Sequence, residues 1–489
     1  MLILVFIIGL MLLWRIGKGA SLLERVGFAL PVGLGVITMC MLLMDWMGIA
    51  LSRTNMTVLT IALLLAATAA NFRTLKLSNF RTFKLSNFRT FKLSNFGTLE
   101  LSNFSWFNLV WLLLLVGVIY LEYVNISKCL IYPTYDRDSM AAFDTFGYVC
   151  SQEGTYLRMS LFEPDYIPSL QHAGSAMGYM PMLQLSYAYV YIFGAATSKA
   201  VPAFIYLGFL FGFYGLCRRK LTHTASMLVL MGVILTPEMT SFASHSMTNV
   251  MHACVASAAI IYLCLWLERR EIHDLRLCAV LLAVNVWMRA EGIVFIGVAL
   301  LLVLSSRVRK FESQSSIVNG QWSILYCLLT LLPLVLWTVC SHACGLSSES
   351  ALIMHPFWDG EKMLTILSGI WELMSGGEFY GWTFHLALIM FIVNLIYSKV
   401  KSSPYRGIRG GLLFCAILLG LAGYILVLYH VDYQWDTVQN VLAFSAKRFL
   451  FCFVPMAWYF SVSVLPMRKL AEWLETTLGV RSEELGVRS

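Results

Sequence analysis

Long apolar stretches alternate with short polar segments along most of this chain of 489 residues. An α-helix needs about 20 predominantly apolar residues to cross the hydrocarbon core of a bilayer. The pattern therefore predicts about thirteen membrane-spanning helices, and with them an all-α polytopic membrane protein. The stretches lie at 1–14, 27–48, 56–70, 105–124, 200–217, 223–237, 248–267, 275–288, 291–305, 322–341, 382–398, 411–430 and 446–466.

Composition leads to the same class of protein. The chain is 59% hydrophobic and 13% charged, whereas soluble domains carry about 25% charged residues. A soluble chain this apolar would expose large patches that aggregate, whereas lipid accepts apolar side chains on the outside of a helix bundle. The net charge of +8 is spread over the segments between the stretches. We interpret it as a sign of membrane orientation and expect no nucleic-acid partner.

Basic clusters fall in alternate connecting segments, so they share one side of the membrane in this arrangement. The positive-inside rule makes that side cytoplasmic. The clusters are Arg15/Lys18, the segment 71–104, Arg218/Arg219/Lys220, Arg269/Arg270, Arg307/Arg309/Lys310, Lys399/Lys401/Arg406/Arg409 and Arg468/Lys469. The N-terminal stretch precedes its basic residues, unlike a cleaved signal peptide, and we expect it to be a retained span with the N-terminus outside.

This arrangement predicts four parts of the chain. They are N-terminal transmembrane helices at 1–70, a cytoplasmic loop at 71–104, a main transmembrane domain at 105–466 and a cytoplasmic tail at 467–489. The loop contains four copies of an eight-residue unit, NFRTLKLS in the first. It is either a basic amphipathic surface segment or a tolerated expansion of repeated sequence.

Two long external loops follow from the same arrangement, at 125–199 and 342–381. Long loops between spans usually carry function or fold on their own. In the first loop, the apolar stretch from Met182 to Phe193 follows Tyr179-Met180-Pro181. A full span there would invert the charge pattern of all later segments, so we expect a juxtamembrane helix that lies in the interface or dips into it.

The first loop also carries the acidic residues with the clearest chemical interest, Asp136 and Asp138. A carboxylate beside a cavity in a membrane protein can act as a general base toward a hydroxyl. The structural alternatives are that Asp138 caps the following helix and that Asp136 pairs with Arg137. Asp144 is a weaker candidate base. An Asp-x-Asp metal site for a nucleotide sugar is disfavoured because nucleotide sugars are cytoplasmic, so we expect no metal or other cofactor.

Basic residues on the predicted external side form a second class of candidates, because the topology rule disfavours them there. Arg289, Lys199, Lys447 and Arg448 can bind a phosphate group. For Arg289 the alternative is an ion pair with Glu291 or snorkelling of the side chain to the interface.

Polar residues near the external start of the 248–267 stretch are candidates for contacts with a sugar or an acceptor. They are His245 and Asn249, together with Glu291 after the 275–288 stretch. Histidines at such positions are more often interfacial hydrogen-bonding groups.

Taken in order, these residues resemble the bacterial members of the GT-C glycosyltransferase superfamily that are grouped with protein O-mannosyltransferases and lipid A sugar transferases. The likeness covers roughly 125–465. It rests on Asp138 with Ser-Met-Ala-Ala-Phe and Gly154, on Tyr179-Met180-Pro181 through Gly194 to Lys199-Ala-Val-Pro, on Arg218-Arg219-Lys220, on Arg289-Ala-Glu291-Gly292, and on Lys447-Arg448-Phe-Leu ahead of Pro455. The chain departs from many relatives at Thr248-Asn249, where they carry an acidic residue.

The resemblance implies an inverting enzyme of the GT-C fold in the bacterial inner membrane. Such an enzyme takes a sugar from a polyprenyl-phosphate carrier and passes it to a lipid, glycan or protein acceptor on the periplasmic or external face. Asp138 or Asp136 would be catalytic, and the external Arg and Lys residues would hold the carrier phosphate. Two other functions fit a polytopic chain: a transporter or flippase of lipid-linked glycans, and a glycan polymerase or ligase.

Overall fold

Helices are the only regular secondary structure in the part of the chain that the structure, a computed structural model, describes. The described residues are 1–72, 106–136, 138–162, 179–308, 316–346, 358–400, 411–430 and 437–477. Most of the eight-residue repeat and the end of the tail lie outside them, and so does Arg137.

The first half of the described chain contains the helices α1 to α11. They are α1 Leu2–Ile16, α2 Leu22–Trp46, α3 Arg53–Phe72, α4 Trp106–Ile131, α5 Thr145–Glu153, α6 Met182–Ile192, α7 Ala200–Cys217, α8 His223–Ile234, α9 Pro237–Phe242, α10 Thr248–Arg269 and α11 Ile272–Met288. A π-helical segment, Ser139–Asp144, leads into α5.

The second half contains α12 to α22. They are α12 Ile293–Val308, α13 Ser316–Leu329, α14 Leu332–Ala343, α15 Gly360–Ser375, α16 Gly377–Tyr380, α17 Thr383–Val400, α18 Leu412–His430, α19 Val438–Val441, α20 Lys447–Phe449, α21 Phe453–Ser463 and α22 Leu465–Thr477. A second π-helical segment, Leu442–Ala446, leads into α20.

Every apolar stretch predicted from the sequence contains a helix, which confirms a helical membrane protein. Seven described helices are long and apolar enough to cross a bilayer, or eight if the pair Lys447–Ser463 and Leu465–Leu474, bent by 62°, is one span. Shorter apolar helices include α1, α8 and α17. The total of about thirteen spans stays a prediction. Large apolar side chains face outward on peripheral helices, as Leu113, Val116 and Ile119 do on α4.

A buried ionic cluster joins four helices at one end of the bundle. Arg219, which follows α7, lies 2.7 Å from Glu24 of α2 and 2.5 Å from Asp274 of α11. The Tyr262 hydroxyl of α10 donates to the same Glu24 carboxylate over 2.7 Å. Since Arg269 also donates to the Arg219 carbonyl, basic residues gather here, and we call this the basic end.

The opposite end, which we call the loop end, carries the first long loop. Asp45, near the C-terminus of α2, accepts hydrogen bonds from the Thr155 hydroxyl and from the backbone N–H groups of Tyr156 and Leu157, at 2.6–2.8 Å. Asp45 is buried, so these bonds fix the segment after α5 onto the bundle. The expected helix after Pro181 is present as α6, and its residues from Met182 to Val190 are buried by protein.

Close packing of small residues brings α2 against α7. A Cβ atom on Gly27 would lie 2.2 Å from the backbone nitrogen of Gly212 and 2.5 Å from the Gly208 carbonyl oxygen. Because lipid supplies no hydrophobic drive between helices, such backbone contact is a main source of helix association in membranes. We expect the N-terminal helices to be an integral part of the bundle.

Replacement of Gly27 tests this packing. Gly27→Ala should lower the melting temperature of the detergent-solubilised protein by several degrees, because the backbone of α7 has to move. Gly297→Ala in α12 is the matched control: a Cβ there meets nothing within 4 Å, and alanine is the better helix former by about 1 kcal/mol. Equal melting temperatures for the two variants would contradict the close approach.

Membrane orientation is open to a labelling test. Gln152→Cys on α5 and Glu271→Cys before α11 are exposed positions at the loop end and the basic end, and the partly exposed Cys40, Cys344 and Cys415 are first replaced by serine. We expect an impermeant maleimide to label Gln152→Cys in intact cells and Glu271→Cys only after permeabilisation. The reverse pattern would overturn the assignment of the basic end to the cytoplasm.

Candidate functional site

An ion pair between Asp138 and Arg448 joins two distant parts of the chain at the loop end. Arg448 Nη1 lies 2.7 Å from Asp138 Oδ2. Asp138 immediately precedes the first π-helical segment, and Arg448 lies just after the second. π-Helical turns are rare and are frequently found at functional sites. The pair therefore marks this place as the candidate site.

Arg289, in the turn between α11 and α12, is held on several sides. Its Nε and Nη2 donate to the two carboxylate oxygens of Glu291 over 3.0 and 2.7 Å. Its Nη1 donates to Asn249 Oδ1 and, over 3.4 Å, to Thr248 Oγ1. The guanidinium carbon lies 5.4 Å from the centre of the Phe449 ring. Nearly all of the donor capacity of Arg289 is thus satisfied within the protein.

Tyr179 lies near both ion pairs. Burial raises the pKa of its hydroxyl, and the charges of Arg289, Glu291, Asp138 and Arg448 all act on it. The ring of Phe449, which follows Arg448 and supports Arg289, is stacked on Tyr424 of α18 with the planes 8° apart. The predicted residues Asp138, Arg289, Arg448, Glu291 and Asn249 therefore form one cluster, which we call the Asp138 group.

The two arginines of the Asp138 group differ in how firmly they are held. Arg448 is 19% exposed and its partner Asp138 is 49% exposed, whereas Arg289 and its partner Glu291 are 13% and 23% exposed. Solvent-exposed ion pairs contribute about 0–1 kcal/mol, whereas removal of one partner from a buried pair costs about 3–5 kcal/mol. Arg448 can consequently exchange its partner at little cost, and Arg289 cannot.

His245 and Lys199 belong to a second cluster, together with Tyr135 and Phe242, which we call the His245 group. His245 Nε2 lies 3.0 Å from the Tyr135 hydroxyl, and its ring packs against Phe242 with the centroids 4.9 Å apart. Burial lowers the pKa of His245, although the nearby Asp136 charge acts in the opposite direction. A neutral imidazole at pH 7 follows, since the ordinary histidine pKa is about 6.5.

Lys199 belongs to the His245 group, and the structure does not bring it to Arg289 and Arg448. Its buried ammonium donates to the carbonyls of Lys128, Tyr132 and Pro133 over 3.0–3.4 Å. The amine thereby satisfies carbonyls at the C-terminal end of α4, where a cation is favoured. Burial lowers the Lys199 pKa. These contacts give Lys199 a structural role, and its phosphate contact stays a prediction.

Lys447 points away from its neighbour Arg448, because successive helical side chains are about 100° apart. Its ammonium lies 2.6 Å from Glu238 Oε1 and 5.0 Å from the Phe379 ring centre. The Tyr380 hydroxyl donates to its carbonyl. Lys447 therefore ties α9 and α16 to the second π-helical segment, and its phosphate contact stays a prediction.

From the sequence, Asp138 is the candidate helix cap and Asp136 the candidate ion-pair partner. In the structure Asp136 is the cap and Asp138 forms the ion pair. Asp136, not Asp138, caps the π-helical segment, since its carboxylate accepts the Ser139 N–H over 3.0 Å. Asp144 accepts a hydrogen bond from the Tyr191 hydroxyl over 2.6 Å. Of the three carboxylates, Asp138 alone belongs to the Asp138 group.

Several residues of these clusters were not identified from the sequence. In the sequence, Tyr179 indicates only the start of a helix, and no pattern distinguishes Glu238 as a site residue. Tyr424 and Phe449 lie in apolar stretches where aromatic residues are ordinary, so no sequence signal distinguishes them. Within the described residues, no three His, Cys, Asp or Glu side chains are grouped as metal ligands.

The contributions of Arg289 and Arg448 to stability can be compared through the melting temperatures of their variants. Arg289→Gln should lower the melting temperature in detergent by several degrees because it leaves Glu291 largely buried without its partner. Arg448→Gln should change it by about a degree or less because its partner is half exposed. A larger decrease in melting temperature for Arg448→Gln would mean that the ion pair with Asp138 stabilises the fold.

Comparison with known proteins adds no assignment. No protein-family model, no curated protein and no solved structure matches this chain.

Proposed function

We propose that this protein is a membrane glycosyltransferase of the GT-C type. It would move a sugar from a polyprenyl-phosphate donor to an acceptor hydroxyl at the loop end of the bundle, with inversion at the anomeric carbon. The observation that carries the proposal is the ion pair between a half-exposed Asp138 carboxylate and the Arg448 guanidinium, beside a firmly held Arg289.

The distribution of basic residues indicates which side of the membrane the Asp138 group would face. The cluster of Arg219 with Arg269 lies at the end opposite to Asp138, and the positive-inside rule favours the cytoplasm for that end. The Asp138 group would then face the periplasm or exterior, where a polyprenyl-phosphate sugar is the suitable donor because nucleotide sugars are cytoplasmic.

Arg448 is the residue best suited to bind the donor phosphate. Its planar guanidinium can form two parallel hydrogen bonds to phosphate oxygens. The phosphodiester would replace the Asp138 carboxylate, and the exchange would be inexpensive because Asp138 is half exposed and can return to water. Arg289 keeps Glu291 and Asn249 as partners, so its role is to hold Phe449 and add positive charge near the phosphate.

Release from Arg448 would free Asp138 to act as the general base. As the acceptor oxygen attacks the anomeric carbon, its proton passes to the Asp138 carboxylate, which hydrogen-bonds the hydroxyl directly. The bond from the anomeric carbon to the phosphate oxygen breaks with its electron pair, and polyprenyl phosphate leaves. Attack from the face opposite the phosphate inverts the configuration.

One observation favours a second function, a transporter or flippase. Glu122 is buried within α4, and its side-chain contacts in the described residues include only a long 3.4 Å approach of Asn125 Nδ2 to each oxygen. The buried Tyr206 hydroxyl, on the neighbouring helix α7, has no hydrogen-bond partner in the described part of the chain. Ionisable residues inside membranes commonly mark transport pathways.

Transfer assays distinguish the two functions and test the base. In proteoliposomes supplied with membrane extract as acceptor source, polyprenyl-phosphate hexoses and pentoses are screened for release of polyprenyl phosphate. We expect Asp138→Asn to reduce release by about 10²–10⁴-fold, the usual contribution of a general base, while polyprenyl-phosphate affinity is retained. Asp136→Asn, which keeps a side-chain oxygen as cap, is the control and should stay active.

Arg448 is tested against its sequence neighbour. Arg448→Ala should weaken the binding of polyprenyl phosphate at least tenfold. Lys447→Ala should weaken it much less, because it removes the ion pair with Glu238 that supports the segment and leaves the Arg448 guanidinium in place. Full release activity in both aspartate variants would refute the proposed chemistry. Movement of intact lipid-linked sugar across the bilayer without release, lost in Glu122→Gln, would favour the transporter.

A further inference from the structure

Helix α15, in the second external loop, has three distinct faces. Ile366, Ile370 and Leu373 are buried against the bundle. Leu364, Leu367 and Trp371 recur at the helical spacing of three and four residues, and form a second apolar face that is 68%, 45% and 67% exposed. Polar residues occupy the third face, among them Thr365, Ser368 and Glu372. The exposed apolar face needs an explanation, since such surfaces usually mark contact sites.

Lipid is the occupant that the surroundings favour. Trp358, just before α15, is 70% exposed, and Trp382, at the start of α17, is 75% exposed. Tryptophan concentrates at the boundary between headgroups and acyl chains. The apolar surface continues from Trp382 onto the outward face of α17, where Leu388, Ile389 and Ile392 are 44–49% exposed.

The buried side of α15 leads to the Asp138 group. A Cβ atom on Gly369 would lie 2.7 Å from Leu442 Cδ1, so the helix backbone rests directly on Leu442. Leu442 is the first residue of the π-helical segment that ends beside Lys447 and Arg448. A shift of α15 would therefore be passed to the segment that positions Arg448.

We propose that α15 is a membrane-docking helix. It lies in the leaflet at the loop end with Leu364, Leu367 and Trp371 among the upper acyl chains, and this contact holds the Leu442–Ala446 segment in place for lipid-phosphate binding at Arg448. The contact with lipid is independent of the transferase chemistry. The link to Arg448 rests on the proposed function.

Depth measurements test the membrane contact. In a background without Cys40, Cys344 and Cys415, nitroxide labels are placed at Leu367→Cys or, as the matched control, at Ser368→Cys on the adjacent polar face. The protein is reconstituted in nanodiscs of phosphatidylcholine and phosphatidylglycerol. We expect Leu367→Cys to be relaxed mainly by oxygen and Ser368→Cys mainly by a water-soluble nickel chelate. Equal access of nickel to both would overturn the proposal, and so would protection of Leu367→Cys from both reagents, which would indicate a protein partner.

The proposed effect of α15 on Arg448 is tested separately, through the affinity for polyprenyl phosphate. Leu364→Ser/Leu367→Ser/Trp371→Ser should lower the affinity for polyprenyl phosphate in nanodiscs several-fold, and Thr365→Ala/Ser368→Ala should not. Unchanged affinity in the triple variant, when Arg448→Ala does reduce it, would overturn the link alone. No binding of polyprenyl phosphate by the unaltered protein would refute the link together with the proposed donor, whereas the depth result would stand.

Discussion

A charge in a low-dielectric interior has to be paired or moved to water, and this constraint organises the molecule. At the basic end, Arg219 is placed between Glu24 and Asp274, so that the ends of four helices are tied by one cation. At the loop end, Arg289 and Glu291 satisfy each other in the turn between α11 and α12. Between the two ends the helices pack mainly through small and apolar side chains, as Gly27 does against α7, and the buried Glu122 of α4 is an exception.

The cations at the loop end differ in how completely the protein satisfies them. Lys199 is enclosed by backbone carbonyls, Lys447 is paired with Glu238, and Arg289 is bound by Glu291 and Asn249. Each of these contacts fixes a loop or a helix end. Arg448 has a half-exposed partner, so it is the cation whose pairing is held least firmly. Under the proposed function, it is therefore the residue that would bind the donor phosphate, while the other three cations hold the structure.

Both residues of the Asp138–Arg448 pair adjoin π-helical segments, and both segments rest on helices of the two long loops. The first packs against α6, where the Gln184 amide donates to the Ala142 carbonyl over 2.6 Å. The second supports α15 through Leu442. A π-helical turn inserts a residue and rotates the side chains that follow it. The position of the pair consequently depends on loop packing as much as on the membrane-spanning helices.

Hydropathy and charge act locally along the chain, so the amino-acid sequence is enough to predict the helical membrane class, the apolar stretches and the alternation of basic clusters. It also indicates Asp138, Arg289 and Arg448 as a group. The folded structure is needed to see that Lys447 and Lys199 lie apart from that group and that Asp136 caps the π-helical segment. Adjacent helical residues point about 100° apart, and the partners of these residues come from distant segments, so no local pattern can specify which charges meet.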